Sequence, residues 1–135
     1  MSRICLDTSA YSHFRRGEPR VVEYLDRADW IGVPSIVVGE LRAGFQLGSR
    51  ADHNAGELDE FLSHPFVEAL LVDTAVAQIY GEIFADLRSR GRPLPTNDIW
   101  IAATAARAGA TVLTFDRHFE SVARIGSIVL SQPTT

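Results

Sequence analysis

Arg3-Ile4-Cys5-Leu6-Asp7-Thr8-Ser9 (residues 3–9) carries the transition that decides the fold. A short β-rich run ends at an aspartate, and Thr8 and Ser9, both good helix N-caps, follow at once. The stretch reads as a strand turning directly into a helix. The alternation recurs along the chain. Trp30-Ile31-Gly32-Val33 is a second strand closed by Pro34, and Ser35 caps a helix running to about Leu47. Residues 66–72, after Pro65, form a third strand. Thr74 opens a long helix whose apolar positions Val76, Ile79, Tyr80, Ile83, Phe84 and Leu87 keep helical spacing. Residues 111–115 are a fourth strand and 128–130 a last one. Further helices are expected around Val21 and Leu25, over residues 51–63, and from a Thr96 cap through Arg107 to Gly109, with 91–95 as a loop. Strands separated by helices require crossovers, and crossovers make a mostly parallel sheet covered on both faces. The expectation is a three-layer α/β/α fold, one domain over 1–135, with four to five strands. Ligands of such sheets bind beyond the carboxyl ends of the strands, where strand order reverses.

The chain has 135 residues, enough to bury roughly two-thirds of its extended-chain surface without staples. Hydrophobic residues at 46% and charged residues at 22% exclude a disordered tail or a collagenous repeat. No run approaches the roughly 18 apolar residues of a membrane span, so no membrane partner is expected. The lone Cys5 cannot form an internal disulfide; it reads as core filler, and a reducing cytoplasm is the expected compartment. A net charge of -4 and a pI near 5.5 exclude a wholly basic nucleic-acid clamp. All 13 basic residues are arginine, however. Arg15, Arg16 and Arg20, and Arg88, Arg90 and Arg92, form clusters that suit either phosphate contact or a solvated face.

Four carboxylates occupy unusual places. Asp7 directly follows the first strand; it is not needed as a cap while Thr8 and Ser9 are available. Glu40 shares a helical face with Ile36, Val37, Leu41 and Gly44, where a charge is costly unless paired or metal-bound. Its structural alternative is a salt bridge to Arg42 or Arg107. Asp98 lies on the stripe of Ile101, Ala102 and Ala105, although the first turn of a helix also favours an anion. Asp116 follows the fourth strand as Asp7 follows the first; its alternative is an Asp-initiated turn. If those strands are neighbours, their ends lie about 5 Å apart. Asp73 also follows a strand, but one at the sheet edge, and is expected to cap the long helix. Convergent carboxylates repel one another, and hard divalent ions, Mg²⁺ or Mn²⁺, relieve the repulsion. His13, His53, His64 and His118 show no paired ligand spacing and read as surface or packing residues.

Four segments, ICLDTSAY (4–11), PSIVVGELRAG (34–44), TNDIWIAATA (96–105) and TVLTFDRHF (111–119), resemble the PIN-domain ribonucleases, specifically VapC-like toxins of toxin–antitoxin pairs. The resemblance spans essentially the whole chain. It implies a PIN-like α/β/α fold and a Mg²⁺- or Mn²⁺-dependent endoribonuclease. Acidic catalytic and metal-binding roles carry over onto Asp7, Glu40, Asp98 and Asp116, with Thr8 and Thr114 in support. Where many relatives have an acidic residue, this chain has His118. The implied partners are an RNA substrate, a cognate VapB-like antitoxin and a second copy in a homodimer.

The expected reaction is hydrolysis of an RNA phosphodiester by metal-activated water. Arg15, Arg16 and Arg42 are candidates for phosphate contact, and Trp100 either stacks a base or packs in the core. The competing expectation is a non-catalytic metal-binding or protein-interaction α/β domain. A receiver domain would need a lysine, which is absent, and an aspartyl phosphatase would want an aspartate where Ser9 stands. A pure interaction module would tie up the carboxylates in arginine pairs.

Overall fold

A computed structural model describes residues 2–133; the ends of the expected 1–135 domain lie outside them. Five strands form one sheet: β1 (Arg3–Leu6), β2 (Trp30–Pro34), β3 (Val67–Leu70), β4 (Thr111–Thr114) and β5 (Ser127–Val129). Their order is β3-β2-β1-β4-β5. Every neighbouring pair is parallel, with Cys5 opposite Gly32 on one side and Val112 on the other. The helices are α1 (Thr8–Arg15), α2 (Pro19–Arg27), α3 (Ser35–Leu47), α4 (Ala51–Leu62), α5 (Thr74–Ser89) and α6 (Thr96–Ala108). A 3-10 turn, Arg117–Ser121, joins β4 to β5.

The order dictates the layers. From β1 to β3 the chain steps outward one strand at a time, so right-handed crossovers put α1–α4 on one face. From β3 it returns across β2 and β1 to reach β4, so α5 and α6 cover the other face. The packing agrees: α5 lies on α6, α6 on β2 and β4, while α1, α3 and α4 meet β4, β2 and β3. Strand order therefore reverses between β1 and β4. The core follows from the strands being buried on both faces. Cys5, Leu6, Val33, Val112 and Leu113 are fully inaccessible, packed between Val37 and Leu58 and the α6 stripe of Ile101, Ala102 and Ala105. Cys5 is thus core filler, and burial pushes its thiol pKa far up.

Three expectations need correction. Ser35 and Thr96 do not cap α3 and α6. Pro34 and Pro95 occupy the cap positions, leaving both hydroxyl residues one place inside, and neither cap makes a side-chain bond. Asp7, rather than Thr8 or Ser9, caps α1: its carboxylate accepts from Ala10 N at 2.8 Å. The third strand is shorter than residues 66–72, because an edge strand persists only where β2 offers Ile31–Pro34 to pair with. Phe66, Leu71 and Val72 are consequently exposed. Asp73 caps α5 as expected, accepting from Val76 N at 2.9 Å. Gly109 ends α6 at φ 65°, a left-handed conformation that glycine adopts without strain.

Candidate metal centre at the carboxyl ends of the strands

The reversal point brings the ends of β1 and β4 side by side, and α3 and α6 add one acidic residue each. Asp7 is buried, 5% exposed, beneath this end of the sheet. Three donors hold it. Thr114 Oγ1 donates to Oδ2 at 2.5 Å, Ser9 Oγ faces both oxygens at 2.8 and 3.0 Å, and Ala10 N completes the set. Thr114, wholly inaccessible, also accepts from Asp116 N at 2.8 Å, so one hydroxyl ties the β1 carboxylate to the turn after β4. Ser9 Oγ likewise accepts from Phe115 N at 3.0 Å. Burial raises the Asp7 pKa above its ordinary 3.8; the three hydrogen bonds oppose the rise, and the charge of Asp116 adds to it.

Asp98, in the first turn of α6, and Asp116, after β4, meet at a third side chain. His118 Nδ1 lies 3.0 Å from Asp98 Oδ2 and 3.2 Å from Asp116 Oδ2. Asp98, Asp116 and His118 each offer one donor atom within 4.8 Å of the others, a spacing compatible with a shared metal ion. Partial burial raises the Asp98 pKa; the His118 hydrogen bond opposes this, while Asp116 and Glu40 add repulsion. Asp7 and Glu40 are outside this close trio, although Asp98 feels the charge of Glu40 and Asp7 feels that of Asp116. Glu40 projects from α3 and is gripped from both sides. Thr8 Oγ1 donates to Oε1 at 2.7 Å, and Asn97 Nδ2 to Oε2 at 3.2 Å.

Among the described residues, none of these four carboxylates pairs with an arginine. Arg42, the suggested partner of Glu40, reaches Asp59 on α4 instead, at 2.7 Å. Arg15 is drawn to Tyr11 Oη at 3.0 Å and to Glu57, leaving Arg16 exposed at the end of α1. Trp100 stacks on Tyr80 of α5 with ring centroids 3.9 Å apart, which is a packing role.

Two residues of the site, Ser9 and Asn97, escape the sequence reading, and a third, His118, is read there from two sides. Ser9 reads only as a cap and Asn97 has no role; His118 reads from its spacing as a surface or packing residue, and from the resemblance as standing where many relatives have an acid. The signal for Asn97 was its place beside Asp98 at the start of α6. For His118 it was the spacing Asp116-Arg117-His118, which a tight turn folds back on itself: His118 N donates to Asp116 Oδ1 at 2.9 Å.

Thr114→Val tests the tie between the strands. The isosteric side chain strips Asp7 of a donor and leaves Asp116 N–H without its partner, at a cost of about 1–3 kcal/mol. Chemical denaturation of metal-free protein should register the loss, and the Asp7 pKa should rise further. Unchanged stability would mean that the hydroxyl does not tie the two strand ends.

Fold and site define a parallel α/β protein with an oxygen-rich acidic centre at the reversal point of its sheet. The PIN domain profile matches residues 4–125, and the chain belongs to the PIN-domain family. It is 30% identical to Ribonuclease VapC5 of Mycobacterium tuberculosis, covering 91% of this chain and 90% of that protein. It is 35% identical to Plasmid stability protein StbB of Pseudomonas syringae pv. tomato, covering 84% and 87%. The DNA-bound VapBC structure from Salmonella typhimurium contains a chain that superimposes with a TM-score of 0.83 at 26% identity, covering 96% of this chain and 98% of that one.

Proposed function

We propose that this chain, acting over 1–135 as one unit, is a metal-dependent endoribonuclease and the toxin of a toxin–antitoxin pair. The observation that carries the reading is the acidic centre itself: carboxylates at the reversal point with no arginine partner among the described residues, three donor atoms within 4.8 Å, and two carboxyl groups whose pKa values are raised. Kinship with proteins named ribonuclease supports RNA as the substrate. Similarity to VapBC toxin–antitoxin complexes supports a VapB-like antitoxin as partner, and membership of the family implies a homodimer.

The donor set fits a divalent cation: oxygen-rich, closely spaced and mutually repulsive. Asp98 and Asp116 would hold the ion, with Asp7 anchoring it directly or through water. A bound Mg²⁺ or Mn²⁺ supplies charge neutralisation and an activated water. The chain supplies orientation. Thr114, Ser9 and Ala10 N hold the Asp7 carboxylate in one orientation. Thr8 and Asn97 fix Glu40, whose carboxylate is set to accept a proton from, or to orient, an attacking water. Nothing in this scheme requires a side-chain nucleophile. Among the described residues, no helix is long and apolar enough to cross a membrane. A reducing, RNA-containing cytoplasm is the compartment this reading implies.

Purified protein incubated with total cellular RNA should generate discrete new ends with Mg²⁺ or Mn²⁺ and none after chelation. Cleavage that persists in excess chelator would refute metal dependence, and no cleavage with either ion would refute the nuclease assignment.

A further inference from the structure

We infer that His118 is a metal ligand, its Nδ1 converting an all-oxygen site into a mixed nitrogen–oxygen one that favours Mn²⁺ over Mg²⁺. The inference rests on the metal-dependent reading above and deepens it.

Three observations carry it. First, His118 does not pack into the core; its side chain is 49% exposed, and its ring turns toward the carboxylates. Second, its direction is imposed by the backbone. The 3-10 turn folds back so that His118 N reaches Asp116 Oδ1, while the next residue, Phe119, is buried at 1% exposure and pins the turn. Third, the spacing suits a shared ion. Donors in cis positions of an octahedron with bonds of about 2.1 Å lie about 3.0 Å apart. Nδ1 is 3.0 Å from one carboxylate oxygen and 3.2 Å from the other.

The same nitrogen has two uses. Nδ1 faces two carboxylate oxygens, to which it donates in the tautomer that places the proton there. In the other neutral tautomer, with the proton on Nε2, the Nδ1 lone pair is directed at the site. Imidazole is a poor match for Mg²⁺, which demands hard oxygen donors, and a better one for first-row transition ions. An aspartate at this position would keep the site wholly oxygen-lined; histidine shifts the preference.

The test uses Mn²⁺ alone as probe. Pulsed electron paramagnetic resonance of the Mn²⁺-loaded chain should show a directly coordinated ¹⁴N, and His118→Asp should abolish it while still binding Mn²⁺. Calorimetric titration with Mn²⁺ and Mg²⁺ should show the Mn²⁺/Mg²⁺ affinity ratio falling about tenfold or more in His118→Asp, the scale on which changes around a metal site act. His118→Gln, which adds no charge, should lose the nitrogen signal in the same way. His13 is the internal control: its Nδ1 is engaged at Ser9 O and its ring stacks on Phe115, so His13→Gln should keep the signal. Bound Mn²⁺ without coordinated nitrogen, or a signal that survives His118→Asp, overturns the inference alone. No Mn²⁺ binding at all overturns it together with the metal-dependent reading beneath it.

Discussion

Asp7→Asn should lower metal-dependent RNA cleavage about 100-fold, the upper end of what altering a metal site's supporting shell costs. The substitution keeps the shape and removes the charge. It also mismatches the pocket, because Thr114, Ser9 and Ala10 N all donate toward Asp7 and an amide offers a single acceptor oxygen. A second readout separates electrostatics from misfolding. Burial holds the Asp7 pKa above 3.8, so the folded chain binds this proton more tightly than the unfolded one. Its contribution to stability is complete below 3.8 and is lost as pH rises through the raised folded value. Asp98 behaves in the same sense. Metal-free protein should therefore lose stability from these two groups on passing from acid toward neutral pH, and Asp7→Asn should flatten part of that slope. A saturating divalent ion should also offset the loss, by about 2.7 kcal/mol at 100 times its Kd. Cleavage by the variant at the parental rate would remove Asp7 from the site. A melting-temperature profile against pH that is identical in parent and variant would show that its carboxyl is not strained by burial.

Phe119→Ala should cost about 3–5 kcal/mol, as for other buried phenylalanines truncated in cores. Phe119 is 1% exposed and belongs to the turn that presents Asp116 and His118. Against a total stability of roughly 5–15 kcal/mol, such a loss should lower the melting temperature by about 10–20 °C. Because the same turn carries two of the three close donor atoms, the affinity for Mn²⁺ should fall as well, measured well below the new melting point. A shift of only a few degrees, roughly 1 kcal/mol or less, would show that the turn is held by other contacts.

Much of the architecture was legible in the residues, for reasons that are local. A parallel strand is buried on both faces, so Ile4-Cys5-Leu6 and Val112-Leu113 appear as uninterrupted apolar runs. Helices announce themselves by 3.6-residue spacing, as in Val76, Ile83 and Leu87. The acidic residues stood out for a similar reason: Asp7 and Asp116 end strands, while Glu40 and Asp98 lie on or beside apolar stripes. Boundaries were less legible. The ends of β3 depend on how much of β2 it meets, and the caps of α3 and α6 on where prolines pin the backbone.

By itself, the sequence determined the alternation of strand and helix, hence a parallel sheet, and it marked which acids had no ordinary surface role. Hydrophobic period and backbone preference act over a few residues, so a linear reading captures them. Tertiary structure alone decided who touches whom. It sent Arg42 to Asp59 rather than Glu40, gave Glu40 to Thr8 and Asn97, made Asp7 both helix cap and buried anion, and turned His118 toward Asp98. Each of these contacts depends on strand order and on the rotation of an element about its axis, and those are set by packing between segments remote along the chain.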